Sequence, residues 1–193
     1  MSTDAIGLVM AAQPDRFEFG GRHCLDLTWT LAHRHWNPTE RLVTDADLRR
    51  WFVEAGVLEV SVLPERGSVG PARDLREGIY RCAHEKIAGR SARAEDLTTI
   101  NGWASKPRLA PVLGQHGTIR WTAKRPIQAA LAAVAVDAVL LLADVTGRLR
   151  ECSRDGCALL FVDTSRPGLR RWCSAVRCGN AVNTARYRQR SGR

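Results

Sequence analysis

At 193 residues the chain has room for one domain of ordinary size and a small appendage. Its hydrophobic fraction of 45% and charged fraction of 25% are those of a globular protein, which sets aside chains too polar to bury a core. The net charge of +9 is concentrated at one end: residues 148–193 hold eleven arginines against Glu151, Asp155 and Asp163, so this tail carries +8 and the rest of the chain +1. A basic patch of that kind favours polyanions, nucleic acid first and an anionic membrane surface second.

The opening MSTDAIGLVMAAQPDRFEF has no positively charged start and only a short apolar run, so no signal peptide is expected and the compartment is read as cytoplasmic and reducing. Phe17 and Phe19 alternate before Gly20 and Gly21, which predicts a short strand leading into a helix from about Leu25. Asn37-Pro38 marks a loop. Thr44 with Asp47 three residues on forms a helix-start signature, and Leu48, Trp51, Phe52 and Ala55 make one apolar stripe that Gly56 ends. Val57 to Gly70 reads as a connection. Pro71 opens a helix whose buried face is Leu75, Ile79, Cys82, Ala83 and Ile87, closed by Gly89. Another helix is expected from about Ala94 to Trp103. The stretch GQHGTIRWT, Gly114 to Thr122, predicts one short hairpin. Pro126 then opens a long apolar helix to about Asp144. Its segment Ile127 to Ala143 imitates a membrane span, yet it holds Gln128 and Asp137 and falls short of the ~20 apolar residues a span needs. It is read as the central buried helix. Asp137 is either a buried partner of an arginine, which would mark a ligand pocket, or the exposed edge of that helix. Gly147 is the hinge into the basic tail.

Four of the six cysteines fall in that tail as Cys152-x4-Cys157, fifteen residues, then Cys173-x4-Cys178. Two cysteines a few residues apart grip one metal ion only if the chain turns sharply between them, and Arg154-Asp155-Gly156 supplies such a turn. A module of about 40 residues cannot bury enough core to fold alone, and metal binding supplies the missing free energy. The pattern therefore points to one structural zinc ion, Zn2+; four free cysteines, an iron–sulfur cluster or a redox switch are the alternatives. With four cysteine ligands no position stays open for water, so the metal would be structural and not catalytic. Leu160, Val162 and their neighbours are predicted as a strand, Ser165 to Gly168 as a turn, and Arg170 to Cys173 as the returning strand. NAVNTARYRQR follows as a helix with Asn180 near its N-cap. A knuckle, a hairpin, a second knuckle and a helix make a treble-clef-like finger.

Arg166, Arg170, Arg171, Arg177, Arg186, Arg188 and Arg190 surround this cluster in sequence, with Arg193 beyond. Arginine matches phosphate or guanine with a planar fork, and most of these side chains are expected on phosphates, where they position a module without reading sequence. Trp172 and Tyr187 either stack on bases or pack the small core, and packing is the reading favoured. His23, Cys24 and Asp26 form a nucleophile-like trio, but their local spacing is unlike that of assembled triads. Cys24 and Cys82 are read as small core residues. His33, His35, His84 and His116 show no metal spacing and are placed at the surface.

The segment CSRDGCALLFVDTSRPGLRRWCSAVRCGNAVNTARYRQR resembles the CGNR zinc finger, with DTSR, RRWCS and CGN as its specific runs. The front half, FEFGGRHCLDLTWTLAHR and LVTDADLRRWFVEAGVL, is similar to the ABATE domain that precedes this finger. The resemblance covers about Phe17 to Arg190. It implies a bacterial transcription regulator linked to stress response, with zinc at Cys152, Cys157, Cys173 and Cys178. One departure is plain: CGN is followed by Ala181 where the family carries arginine, and the downstream position that is often basic is Asn183.

The expected architecture is mainly α: a helical domain with a short β-hairpin over residues 1–147, then a zinc finger over 148–193. The expected function is DNA binding in transcription regulation, with the helical body as a sensor or dimerisation unit. A possible homodimer and an unknown small-molecule effector accompany this reading, and no membrane partner is expected. The alternative is a zinc-stabilised protein-interaction or RNA-binding module. Enzymatic activity is not expected, because no carboxylate pair, phosphate loop or open metal site is present. The units are expected to be modular: Cys173→Ala should unfold the tail and leave the helical body cooperative, because the apolar stripes lie almost wholly before Gly147.

Overall fold

The computed structural model describes residues 16–191, apart from the side chains of Arg186, Arg190 and Ser191. The expectations for the first fifteen residues and for Arg193 lie outside the described residues. The fold is mostly helical with small hairpins, and its C-terminal hairpin and helix surround a four-cysteine cluster.

Residues 16–20 run without regular secondary structure and pair with no strand, contrary to the expectation from the Phe17 and Phe19 alternation. A strand needs a partner for its backbone groups, and here Phe17 is buried while Phe19 leans on Trp51 at 6.1 Å. The chain enters α1 (His23–Thr28) two residues earlier than expected. A two-residue hairpin, β1 (Leu31–Ala32) with β2 (Thr39–Glu40), brackets Asn37-Pro38.

The capping signature at Thr44 is formed in full at the start of α2 (Asp45–Glu54): Asp47 N donates to Thr44 Oγ1 at 3.2 Å and Thr44 N to Asp47 Oδ2 at 2.8 Å. Leu48, Trp51 and Phe52 are fully buried on its inner stripe. α3 (Val69–Ile87) starts two residues before Pro71 because Asp45 caps it from the neighbouring helix. That carboxylate accepts from the backbone N–H groups of Gly67, Ser68 and Val69 at 2.8–2.9 Å. Leu75, Ile79, Cys82 and Ala83 are buried as expected, whereas Ile87 at the last position of the helix is exposed. α4 (Ala94–Ala104) follows. The hairpin is β3 (Ala110–Leu113) with β4 (Ile119–Thr122), so the stretch from Gly114 supplies the turn and the second strand, and the first strand lies before it.

α5 (Pro126–Ala143) packs on α1, α2, α3 and α4 and forms the centre of the main core through Ile127, Leu131, Val134, Ala138 and Leu141. Among the described residues it is the one helix long and apolar enough to cross a membrane, and half of it is buried inside the protein. Asp137 is the partner of an arginine: Arg22 Nε lies 3.0 Å from Asp137 Oδ1, and Cys24 N donates to Asp137 Oδ2 at 2.9 Å.

The tail contains β5 (Leu149–Glu151) and β6 (Leu160–Val162), which pair antiparallel with each other. This corrects the expected hairpin: the partner of β6 is the segment before Cys152, and Arg170–Cys173 is not a strand. Leu149 and Leu160 both enter the main helical core, which selects that pairing. A π-helical turn, Ala175–Gly179, runs into α6 (Asn180–Ser191). Ser174 is therefore the cap, with Oγ accepting from Arg177 N at 3.2 Å, and Asn180 is already inside the helix.

Candidate metal centre

β5 delivers Cys152 to the cluster, and the first knuckle closes through Cys157 N donating to Arg154 O at 3.0 Å and Cys152 N to Leu159 O at 2.9 Å. Gly156 takes φ +75° in this turn, a conformation that side chains with a Cβ rarely adopt. The second knuckle is the Ser174-capped turn, in which Cys178 N donates to Ser174 O at 3.0 Å. Ser153 N donates to Arg171 O at 2.9 Å and ties the two knuckles together.

These turns bring the Sγ atoms of Cys152, Cys157, Cys173 and Cys178 within 4.8 Å of one another. Cys157 lies 3.7 Å from Cys173 and 3.6 Å from Cys178, and Cys173 lies 3.5 Å from Cys178. Four sulfurs at about 2.3 Å from a tetrahedral zinc are separated by about 3.8 Å, so the donor set fits that ion. The charge argument agrees. The four sulfurs are close enough to share protons by hydrogen bonding, which favours the thiolate at Cys178. Hydrogen bonding with Cys152 and its neighbours pushes Cys157 and Cys173 far above the ordinary thiol range. A divalent cation at the centre relieves this conflict. Arg154 Nη1 lies 3.8 Å from Cys178 Sγ and Arg177 Nη2 lies 3.7 Å from Cys173 Sγ, each offering an N–H to a thiolate.

Three further groups hold the cluster. Trp29 of the helical body packs with Cys152, Leu159, Phe161, Cys173 and Cys178, and its Nε1 donates to Leu160 O at 2.8 Å. A Cβ at Gly20 would lie 2.7 Å from the Trp29 ring, so glycine there lets the ring seat. Asp163 is buried in the loop after β6 and accepts from Ser165 Oγ at 2.6 Å, Ser165 N at 2.9 Å and Arg170 N at 2.8 Å. The Ser165 hydroxyl and the two backbone donors hold its carboxyl below the usual carboxylate range. Arg148 Nη1 donates to Ser165 O at 2.8 Å. Sequence reasoning missed these groups. Asp163 had a signal, an Asp two residues before Ser ahead of Pro-Gly, which is an Asx-turn pattern. Trp29 had none.

The arginines divide by what they already touch. Arg170 Nε donates to Trp172 O at 2.8 Å, its Nη2 donates to Cys173 O, and its guanidinium lies over Phe161. Arg177 pairs with Glu18. Arg170 braces the finger from within, and Arg177 ties it to the segment before α1. Arg166, Arg171 and Arg188 are exposed, Arg171 lying over Trp172. Arg186 and Arg190 lie on α6, and their side chains are outside the described residues. Trp172 packs against the cluster, while Tyr187 is exposed. Near the front, Cys24 is fully buried and burial, then Asp137, pushes its thiol far above the ordinary range, the opposite of an activated nucleophile. Burial lifts the Cys82 thiol to about 11.

A helical body carrying a four-cysteine finger defines a class of small zinc-finger proteins. The sequence profile of the ABATE family, described as "Putative stress-induced transcription regulator", matches residues 21–145, and that of the CGNR zinc finger matches residues 148–191. The chain belongs to the ABATE family, followed by a CGNR zinc finger. Comparison with curated proteins yields no match.

Proposed function

We propose that this chain is a cytoplasmic transcription regulator that binds duplex DNA through its finger, with one structural zinc ion held by Cys152, Cys157, Cys173 and Cys178. The zinc supplies folding free energy and fixes the knuckles; it takes no part in chemistry. The observation that carries the reading is the division of the arginines. Arg148, Arg154 and Arg170 contact the finger's own carbonyls and sulfurs, and Arg177 contacts Cys173 Sγ and Glu18 of the body, while Arg166, Arg171 and Arg188 are exposed and make no such contact among the described residues. Arg186 and Arg190 share one face of α6 by helical spacing. A basic face left over after the structural needs are met suits phosphate. A homodimer is proposed with it, because a single small finger rarely reaches specific affinity. The division into a body over 1–147 and a finger over 148–193 belongs to the same proposal as a division of sequence units, which interlock in packing through Leu149, Leu160 and Trp29.

Affinity for duplex DNA should fall with salt at a log–log slope of about −0.9 per phosphate contact, so four to six contacts give about −4 to −5. Arg186→Ala and Arg190→Ala should each lower the slope by about one. Ala181, half-buried in the first turn of α6, permits a further test. Ala181→Arg should steepen the slope if that position meets phosphate, and should alter stability alone if it packs within the finger. Absence of duplex binding at about 50 mM salt would leave the zinc-stabilised interaction module as the surviving reading.

A further inference from the structure

The hairpin formed by β3 and β4 is built unlike the rest of the body. All eight of its strand residues are exposed. In its register Pro111 faces Trp121 and Leu113 faces Ile119, so these four side chains share one face of the ribbon. That face is apolar throughout and open, with Leu113 78%, Ile119 66% and Trp121 57% exposed. A two-stranded ribbon whose strand residues are all exposed is marginal in water, so this face calls for a partner.

Charge selects the partner. Residues 97–136 contain Lys106, Arg108, Arg120, Lys124 and Arg125 and no Asp or Glu. Arg125 pairs with Glu65, but Arg108, Arg120 and Lys124 are exposed and make no ion pair among the described residues. Two copies meeting on this ribbon would bring these cations together with no acid to balance them. A polyanion balances them. The major groove of B-DNA, about 12 Å wide, admits a two-stranded ribbon and presents thymine methyl groups to apolar side chains. The ribbon springs from the N-terminal end of α5 and β5 follows its C-terminal end. At 1.5 Å per residue, the 18 residues of α5 separate ribbon and finger by about 27 Å, or about eight base pairs.

We propose that the β3–β4 ribbon is a second DNA-contacting element, entering the major groove with Leu113, Ile119 and Trp121 against thymine methyls and with Arg108, Arg120 and Lys124 on the flanking phosphates. The assignment extends the DNA-binding reading of the finger and rests on it, so the test separates the two. Full-length protein, its Arg108→Ala/Arg120→Ala variant, its Leu113→Ser/Ile119→Ser variant and an Arg188→Ala finger variant are titrated with an A·T-rich duplex across a salt series. Each is then titrated with the same duplex carrying uracil in place of thymine. All the substituted side chains are exposed, and matching melting curves check that the fold is kept. The ribbon arginine variant should lose about two units of salt slope and the finger variant about one. Wild type should bind the thymine duplex about fourfold better per methyl contacted, a preference the Leu113/Ile119 variant loses.

An unchanged slope in the ribbon arginine variant, or equal wild-type binding of the two duplexes, overturns the ribbon assignment. If Arg188→Ala still lowers the slope in that case, the finger reading stands without it. A ribbon effect with no finger effect sinks the finger reading and keeps the ribbon. Loss of a sedimenting dimer in the Leu113/Ile119 variant, with DNA binding intact, assigns the ribbon to self-association and overturns the proposal. Absence of duplex binding by wild type overturns both.

Discussion

Asp26 shows how a single side chain in α1 links packing to pH. It is 1% exposed beneath the Gly20 turn and accepts from Gly20 N at 2.6 Å. Burial pushes its carboxyl up to about 6, and the backbone donors only partly oppose this. The folded state thus holds this proton more tightly than the unfolded chain. Its contribution to stability is greatest below about pH 4, falls as pH rises to about 6 and stays low above that. Asp26→Asn keeps an acceptor for Gly20 N–H and removes the titration. The variant should be stabilised relative to wild type at pH 8, by an amount on the order of 1 kcal/mol or more, and the difference should shrink at pH 4. Thermal melts at the two pH values check it; equal differences at both would show that Asp26 titrates as it does in the unfolded chain.

Between elements, the join of α2 to α3 is made by Asp45. One carboxylate serves α2 as a first-turn acid and α3 as an external cap for three N–H groups. Burial alone would raise its pKa, but the backbone donors of Val69 and Gly67 and the Ser68 groups hold it below the ordinary value. Asp45→Ala should cost about 1–2 kcal/mol, read as a lower urea midpoint at unchanged slope. A second join is the Arg76 cluster. Its guanidinium is buried, pairs with both carboxylate oxygens of Glu40 at 2.7 Å and meets Glu77 at 2.8 Å, so β2 is clamped to α3. Burial works against the charges of Glu40 and Glu77, yet the arginine bonds win and both carboxyls lie below their usual range. Removing Arg76 alone would strand two carboxylates, the costly way to break such a group.

Across the whole molecule, body and finger interlock. Leu149 and Leu160 of the finger sit in the main core, and Trp29 of the body sits in the finger's core. An ion bound only by the folded finger therefore stabilises both parts. Chelation, or Cys173→Ala, should lower the melting temperature of the helical body as well as the tail, with far-ultraviolet and tryptophan signals moving together. Two separate transitions would instead make residue 147 a true folding boundary. Trp29→Ala should cost about 3–5 kcal/mol and also weaken zinc binding, although Trp29 lies more than a hundred residues before the first cysteine of the cluster. Metal content and a thermal melt of that variant decide the point: full stability with full metal would show that the contact carries little.

What was legible in the sequence is what a few neighbouring residues decide among themselves. The spacing of Cys152, Cys157, Cys173 and Cys178, the turn at Gly156, the Thr44 capping box and the stripe through Leu48, Trp51 and Phe52 all rest on contacts within one turn or one knuckle. The basic tail was plain from composition. Tertiary structure decided the rest, because each remaining choice was a competition between partners distant in sequence. β6 pairs with β5 and not with Arg170–Cys173 because Leu149 and Leu160 bury together in the body, while Arg170 N is bound by Asp163 and Arg171 O by Ser153. Arg170 and Arg177 look no different in sequence from Arg166 and Arg188; their different use follows from which carbonyls, sulfurs and carboxylates the fold sets beside them. The alternation of Ile119 and Trp121 announces a strand, but only the assembled body shows that both side chains stay exposed among the described residues.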